Sequence, residues 1–254
     1  ESLPMFLRTP SFVAGVTIAI CSLQPSQPVV DHDVRDPHFT MSVACAVCHI
    51  AAPGATAMTD KDGKDVSPYY TWQATMMANA FRDPYFRAQL QKESASAGEQ
   101  VQELCLRCHV PMTHHDAVLN GKAPPRLAQA VDDMAADDGV SCTPTQGLHI
   151  RKAGLCATCH TLFTNHHGTD FPEQTPYLEW RNSEFNDERE GADPKKTRTC
   201  QQCHMPEQQK VRIARTPMGF DYRVPEREGY RSHAFIGGNA FMLDMLREHR
   251  DDLY

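Results

Sequence analysis

Four times in 254 residues the chain spells Cys, two variable residues, Cys, His: Cys45-Ala46-Val47-Cys48-His49, Cys105-Leu106-Arg107-Cys108-His109, Cys156-Ala157-Thr158-Cys159-His160 and Cys200-Gln201-Gln202-Cys203-His204. On one turn of helix, positions i, i+3 and i+4 share a face, so each copy presents two thiols and an imidazole together. Two thiols so placed reach the two vinyl groups of a porphyrin while the imidazole reaches its iron, and C-x-x-C-H is the attachment sequence of a c-type haem. A lone copy also suits half a zinc site or a redox dithiol, but zinc ribbons make no demand on the residue after the second Cys, and a dithiol needs one copy. Four copies point to four covalently bound haems c. Their cofactor-binding residues are the eight motif cysteines, and His49, His109, His160 and His204 are the proximal ligands.

Four porphyrins are large flat apolar bodies, so much of the core is expected to be cofactor. The motifs begin 60, 51 and 44 residues apart, which fits a chain wrapped around a row of haems. The fold class expected is mainly α with extensive coil and little or no β-sheet. The organisation expected is an arm over residues 1–30 and a single tetrahaem unit over 31–254. Formal net charge is -7, before the haem propionates are counted, so nucleic acid is excluded as a partner for want of a basic surface. Arg107, Arg151 and Lys152 are candidates for propionate pairing or for plain solvated surface. Haem c is attached outside the cytoplasmic membrane, so the protein is expected to be exported: periplasmic, at the outer surface or extracellular. Disulfides are permitted there, and the two cysteines outside the motifs, Cys21 and Cys142, read either as a bridge or as separate thiols.

Along the chain, the apolar run from Ser11 to Cys21 resembles a signal-peptide core, or else an ordered interface-forming arm. Residues 68–80 have helical character, 84–95 and 97–109 read as helices, and Pro111 is expected to end the second of these. Leu127 to Met134 reads as a short helix, and the acidic stretch from Asp132 to Asp138 as solvated surface rather than a calcium site. Pro68-Tyr69-Tyr70-Thr71-Trp72-Gln73-Ala74-Thr75 is echoed by Pro176-Tyr177-Leu178-Glu179-Trp180-Arg181-Asn182-Ser183, a short internal repeat using both tryptophans. Asn239 is a good N-cap for a last helix over Ala240 to His249, with Phe241, Met242, Met245 and Leu246 as its apolar side. No strand pattern is evident.

The sixth position on each iron separates a conductor from a catalyst, since an iron with an open position can bind substrate. Nine histidines remain for it: His32, His38, His114, His115, His149, His166, His167, His233 and His249. The segments Trp72 to Ala78, Cys105 to Pro111, Asp138 to Thr143, Cys200 to Pro206 and His233 ahead of Gly237-Gly238-Asn239 resemble the multihaem cytochromes c related to the tetrahaem carriers of hydroxylamine oxidation and, distantly, to pentahaem nitrite reductase. The resemblance implies His233 as a distal ligand. Two departures from it matter. Relatives often read W-x-x-S-x-H-A where this chain has Met77, which makes Met77 a thioether ligand candidate against core packing, with Met76 its near alternative. Relatives often read G-V-S-C-T-x-C-H where this chain has Thr145 and Gln146, so Cys142 reads as the remnant of a lost haem site. His114, His115, His149 and His38 complete the distal candidates, followed by His166 and His167.

The function expected is electron transfer, with no enzyme activity and no catalytic residues, between redox donor and acceptor proteins. Surplus histidines and the apolar arm extend the expectation to a homo-polymer, an extracellular filament with haem-to-haem contacts between subunits, against a discrete carrier. The alternative from another class is a reductase of nitrite or hydroxylamine type with one open haem; no C-x-x-C-K variant is present.

Overall fold

The computed structural model describes residues 38–138 and 147–253. The arm over residues 1–30, His32, and the segment carrying Cys142, Thr145 and Gln146 lie outside these. All described residues belong to one compact unit, Val34–Tyr254.

Short helices joined by long coil make up the fold. The first motif is built on α1 (Ser42–Ala46), and α2 (Pro68–Gln73) packs on it. Helix α2 starts with Pro68, which needs no amide hydrogen-bond partner at a helix start, and the Ser67 hydroxyl accepts from Tyr70 N–H at 3.2 Å. The helical character expected over 68–80 is broken at Ala74-Thr75. There the Thr75 hydroxyl caps α3 (Met76–Asn79), accepting from Ala78 N–H at 3.1 Å.

Helix α4 (Pro84–Ala97) is capped by Asp83, whose carboxylate accepts from Tyr85 N–H at 2.9 Å, and ends at Gly98 with φ +94°, a conformation that favours glycine. Helix α5 (Gln100–His109) packs back on α4 and carries the second motif. Gln102 and Leu106, one turn apart, are buried, while Val101, Leu104, Cys105 and Cys108 are half-buried, Val101 and Cys105 against the same cluster as Leu106. Phe81, Leu90, Leu106, Val110, Leu127, Ala130 and Ala136 form the hydrophobic cluster around this region.

Pro111 corrects one expectation. It ends α5 only by opening α6 (Pro111–Leu119) at the position where a helix tolerates proline best. The helix expected from Leu127 is shorter, α7 (Leu127–Val131), and a 3-10 turn over Met134–Asp137 follows.

The third motif is on α8 (Gly154–Ala157). An antiparallel hairpin, β1 (Leu162–His166) and β2 (Thr169–Gln174), comes next and was not evident in the sequence. Its two turn residues, His167 (φ +52°) and Gly168 (φ +84°), both have positive φ, as a type I′ hairpin turn requires. Histidine is among the residues that tolerate this conformation, but His-Gly is a weaker signal than Asn-Gly, and β2 is exposed throughout, so no alternation marks it.

Helix α9 (Pro176–Arg181) packs on α8, and α10 (Cys200–His204) is the fourth motif itself. A two-residue pairing of β3 (Glu207–Gln208) with β4 (Tyr230–Arg231) closes the following loop. Asn239 caps α11 (Ala240–Glu248) as expected, accepting from Met242 N–H at 3.1 Å. Its packed residue is Leu243, however; Phe241 is 75% exposed and Met245 is exposed too. A final turn, α12 (Arg250–Leu253), sets the Arg250 guanidinium 3.8 Å above the Tyr70 ring. The architecture is therefore mainly α with much coil and two small sheets. Among the described residues, no helix is long and apolar enough to cross a membrane.

Candidate haem sites

Each motif is one turn of helix. In the first, the amides of Cys48 and His49 both donate to the Cys45 carbonyl, at 3.2 and 3.0 Å; in the third, Cys159 and His160 do the same to Cys156, at 3.2 and 2.9 Å. The fourth is capped by Thr199, with the Gln202 side chain accepting from the Thr199 amide at 2.7 Å. All eight motif cysteines are free thiols, half-buried except for the exposed Cys203. Among the described residues, no group of three or more His, Cys, Asp or Glu is gathered closely enough to hold a metal ion.

Two motif imidazoles are oriented by backbone carbonyls. His49 Nδ1 lies 2.6 Å from the Ile213 carbonyl oxygen and His204 Nδ1 lies 2.7 Å from that of Ile236. Donation from Nδ1–H to a carbonyl leaves the Nε2 lone pair free for a metal. His109 is held differently. Its ring stacks on Phe86 at 3.8 Å and 6°, and its Nδ1 is buried with no completed hydrogen bond, although the Ala80 carbonyl lies close. Burial pulls the basicity of His109 down, and that of His160 as well, where the neighbouring His204 adds to the effect. Neutral imidazoles are the ligating form.

The motifs also touch one another. The Cys108 thiol of the second lies near enough to the Cys159 thiol of the third for the two to influence each other's ionisation, and so do Cys156 of the third and Cys200 of the fourth. The Cys108 contact holds the Cys159 thiol down at about 6 while Cys108 itself is driven up, and burial pushes Cys156 up to about 11. Inside the fourth motif, Gln201 Nε2 donates to the carbonyls of Ile150 and Lys152, at 2.9 and 2.8 Å, tying it to the segment ahead of the third.

The first motif is held from elsewhere in the chain. Arg215 N–H donates to the Cys48 carbonyl at 3.0 Å, and its Nε to that of Ile50 at 2.9 Å. The Asp221 carboxylate accepts from the amides of Thr56 and Ala57 and from the Thr56 hydroxyl, at 2.7 to 3.0 Å. Burial works against the ionised form of Asp221, but these bonds and Arg212 outweigh it and hold the carboxyl below the ordinary range. Asp138, expected on solvated surface, instead accepts from the Ser42 amide at 2.6 Å at the head of α1, and burial raises its pKa.

Of the distal candidates, two are buried with idle nitrogens. His114 is 7% exposed on α6, and both its ring nitrogens are buried without a hydrogen bond. His233 has a buried Nδ1 with no partner, and burial pulls its pKa down to about 4. An orphaned buried imidazole carries a desolvation cost of about 1–3 kcal/mol, which coordination to iron removes. His115 is exposed and edge-on to His114 at 5.2 Å. His38, beside Phe39, and His149 are exposed, as are His166 and His167 on the hairpin. His249 lies 3.2 Å from Asp252. Met76 and Met77, at 45% and 38% exposed, do not pack into the protein core. Lys152 lies 3.6 Å from Asp187, and Arg151 is exposed. The residues that sequence reasoning missed are mostly backbone: the carbonyls of Ile213 and Ile236 carry no side-chain signal.

Residues 44–143 match the family model described as cytochrome c554 and c-prime. Over that stretch the chain is similar to the multihaem c-type cytochromes. No curated protein and no solved structure matches it. The matched stretch contains the first two motifs and Cys142; the third and fourth repeat the same pattern outside it. That likeness supports covalently bound haem c and haem-based electron transfer. The residues present fit that group: free thiols in pairs on one helical face, imidazoles with Nδ1 tied to carbonyls, and orphaned buried imidazoles at His114 and His233. When bound, haem c supplies an iron that alternates between ferric and ferrous states.

Proposed function

We propose that this protein is a tetrahaem electron carrier that performs no bond chemistry of its own. The observation that carries the reading is the fourfold C-x-x-C-H motif, each copy on one turn of helix with both thiols free. Gln201 ties the fourth motif to the segment ahead of the third, so haems held by these two motifs would be neighbours. The protein supplies the spacing, the axial imidazoles and the electrostatics, and the cofactor supplies the redox change. His114 and His233 serve as distal ligands, and the exposed thioether of Met77 is a ligand for a third iron. A thioether in place of an imidazole raises the reduction potential of that centre. Donor and acceptor are other redox proteins, met outside the cytoplasmic membrane.

The exposed imidazoles of His149, His166 and His167 support an assembled form, a filament of this chain in which the haem row runs on across subunits. The test of the core reading is a haem count by intact mass with a potentiometric titration. Four haems, low-spin when oxidised, are expected. Fewer than four, or a high-spin iron that turns over nitrite or hydroxylamine, overturns it in favour of the reductase. Negative-stain images over a range of concentrations test the assembled form, which discrete particles at every concentration would eliminate.

A further inference from the structure

The segment from Ser232 to Ile236 makes contacts in two directions. Toward the fourth motif, Ile236 N–H donates to the His204 carbonyl at 2.9 Å, while the Ile236 carbonyl lies 2.7 Å from His204 Nδ1. Ile236 therefore holds His204 twice, at the backbone carbonyl and at the imidazole of His204. Three positions earlier, His233 N–H donates to the Thr71 hydroxyl on α2 at 3.1 Å, and the ring Nδ1 of His233 is buried and unpartnered. Ser232 N–H fixes the start of the segment on the Pro206 carbonyl at 3.0 Å.

Between these anchors stands Phe235, with φ +39°. A bulky non-glycine residue in left-handed backbone is strained, and such strain persists only where surrounding contacts hold it. Here the contacts are edge-to-face rings on two sides, His233 at 5.7 Å and 86° and Trp72 at 5.7 Å and 82°.

We propose that residues 232–236 act as one strap setting an axial imidazole on each of two different haems, with Phe235 as its positioning residue. The proposal rests on the reading that the motifs carry haem. Two irons are needed because three residues of backbone span at most about 10 Å, too little to leave the proximal side of a porphyrin, round its edge and return over the opposite face. His204 serves the fourth haem. His233 is anchored by its amide to α2, the helix packed on the first motif, which separates it from the fourth motif that Ile236 holds. The strap thereby makes the ligand geometry of one centre depend on that of another distant in sequence.

The experiment is electron paramagnetic resonance of the oxidised holoprotein, with haem content measured on each sample. In Phe235→Gly, which removes both the wedge and the need for strain, two of the four low-spin signals are expected to move together, one being the signal lost in His233→Met. Movement of the His233 signal alone, of all four or of none, at unchanged haem content, overturns the strap. Phe235→Asn keeps a residue that tolerates left-handed backbone and deletes only the ring. It is expected to move the His233 signal and spare the second, and it decides the matter if the glycine variant does not accumulate, since no movement of the His233 signal then refutes the strap. Absence of covalent porphyrin from the unsubstituted protein would sink the haem reading itself, an outcome distinct from these.

Discussion

Pro68-Tyr69-Tyr70-Thr71-Trp72 and Pro176-Tyr177-Leu178-Glu179-Trp180 open two helices of the same length, each packed on a haem motif, yet their tryptophans meet different surroundings. Trp72 is packed against Phe235 from far along the chain, and its indole N–H is buried without a partner. Trp180 stacks on Tyr177 at 5.6 Å and 21°, and its N–H donates to the Arg198 carbonyl at 2.7 Å. The residue closing each repeat differs as well: Thr75 caps the next helix, whereas the Ser183 hydroxyl turns back to the Trp180 carbonyl at 2.7 Å. The short repeat thus specifies a proline-started helix beside a haem motif, and long-range packing decides what the helix then does. The first copy is closed by an aromatic ring from far along the chain; the second is closed by local polar bonds.

That contrast can be broken by substitution, most severely in the hydrophobic cluster. Leu106, fully buried between the two cysteines of the second motif, is expected to cost about 2–5 kcal/mol when cut to Ala. Leu155, 42% exposed just ahead of the third motif's first cysteine, should cost less than about 0.5 kcal/mol. Thermal unfolding of the two holoproteins followed by far-UV circular dichroism compares them, and equal losses would erase the distinction between the halves.

An intermediate effect is expected at Asp221, whose carboxylate clasps Thr56 and Ala57 near the first motif. Asp221→Asn should cost about 1 kcal/mol. Because the folded pKa of Asp221 is depressed, its contribution is present above the unfolded value of about 4 and is lost as pH falls through the lower folded one. The difference in stability between this variant and the parent should therefore shrink in acid. The matching carboxylate in the second half, Glu188, accepts one bond from the Tyr177 hydroxyl at 2.9 Å, and Glu188→Gln should change stability by less than about 0.5 kcal/mol.

The smallest effect sharpens the comparison of the repeats themselves. Trp180→Phe removes a made hydrogen bond and should cost about 1 kcal/mol. Trp72→Phe removes a buried donor that has no protein partner, so it should cost less than Trp180→Phe in the same unfolding assay. The reverse order would mean that the Trp72 indole is bonded in the loaded protein.

The haem motifs were legible because their chemistry is local: two thiols and an imidazole on one turn. So were the Asn239 cap and the helices starting at Pro84 and near Gln100, each with punctuation of its own. Pro111 was read as a stop because proline suits both the end of one helix and the first position of the next. The hairpin over 162–174 was missed since its turn is His-Gly and its second strand buries nothing. Phe241 was placed on the packed side of α11 on apolar character alone, and only tertiary contacts show that Leu243 takes that place. The carbonyls that orient His49 and His204 could not be read at all, because every residue type carries one.

Gln201 occupies one of the two letters that haem attachment leaves unspecified, and its amide bridges to the loop preceding the neighbouring site. The enzymes that stitch porphyrin to protein need not distinguish what stands there. Evolution is consequently at liberty to use those silent positions as rulers, tuning the gap an electron must tunnel without disturbing the chemistry by which the pigment is installed.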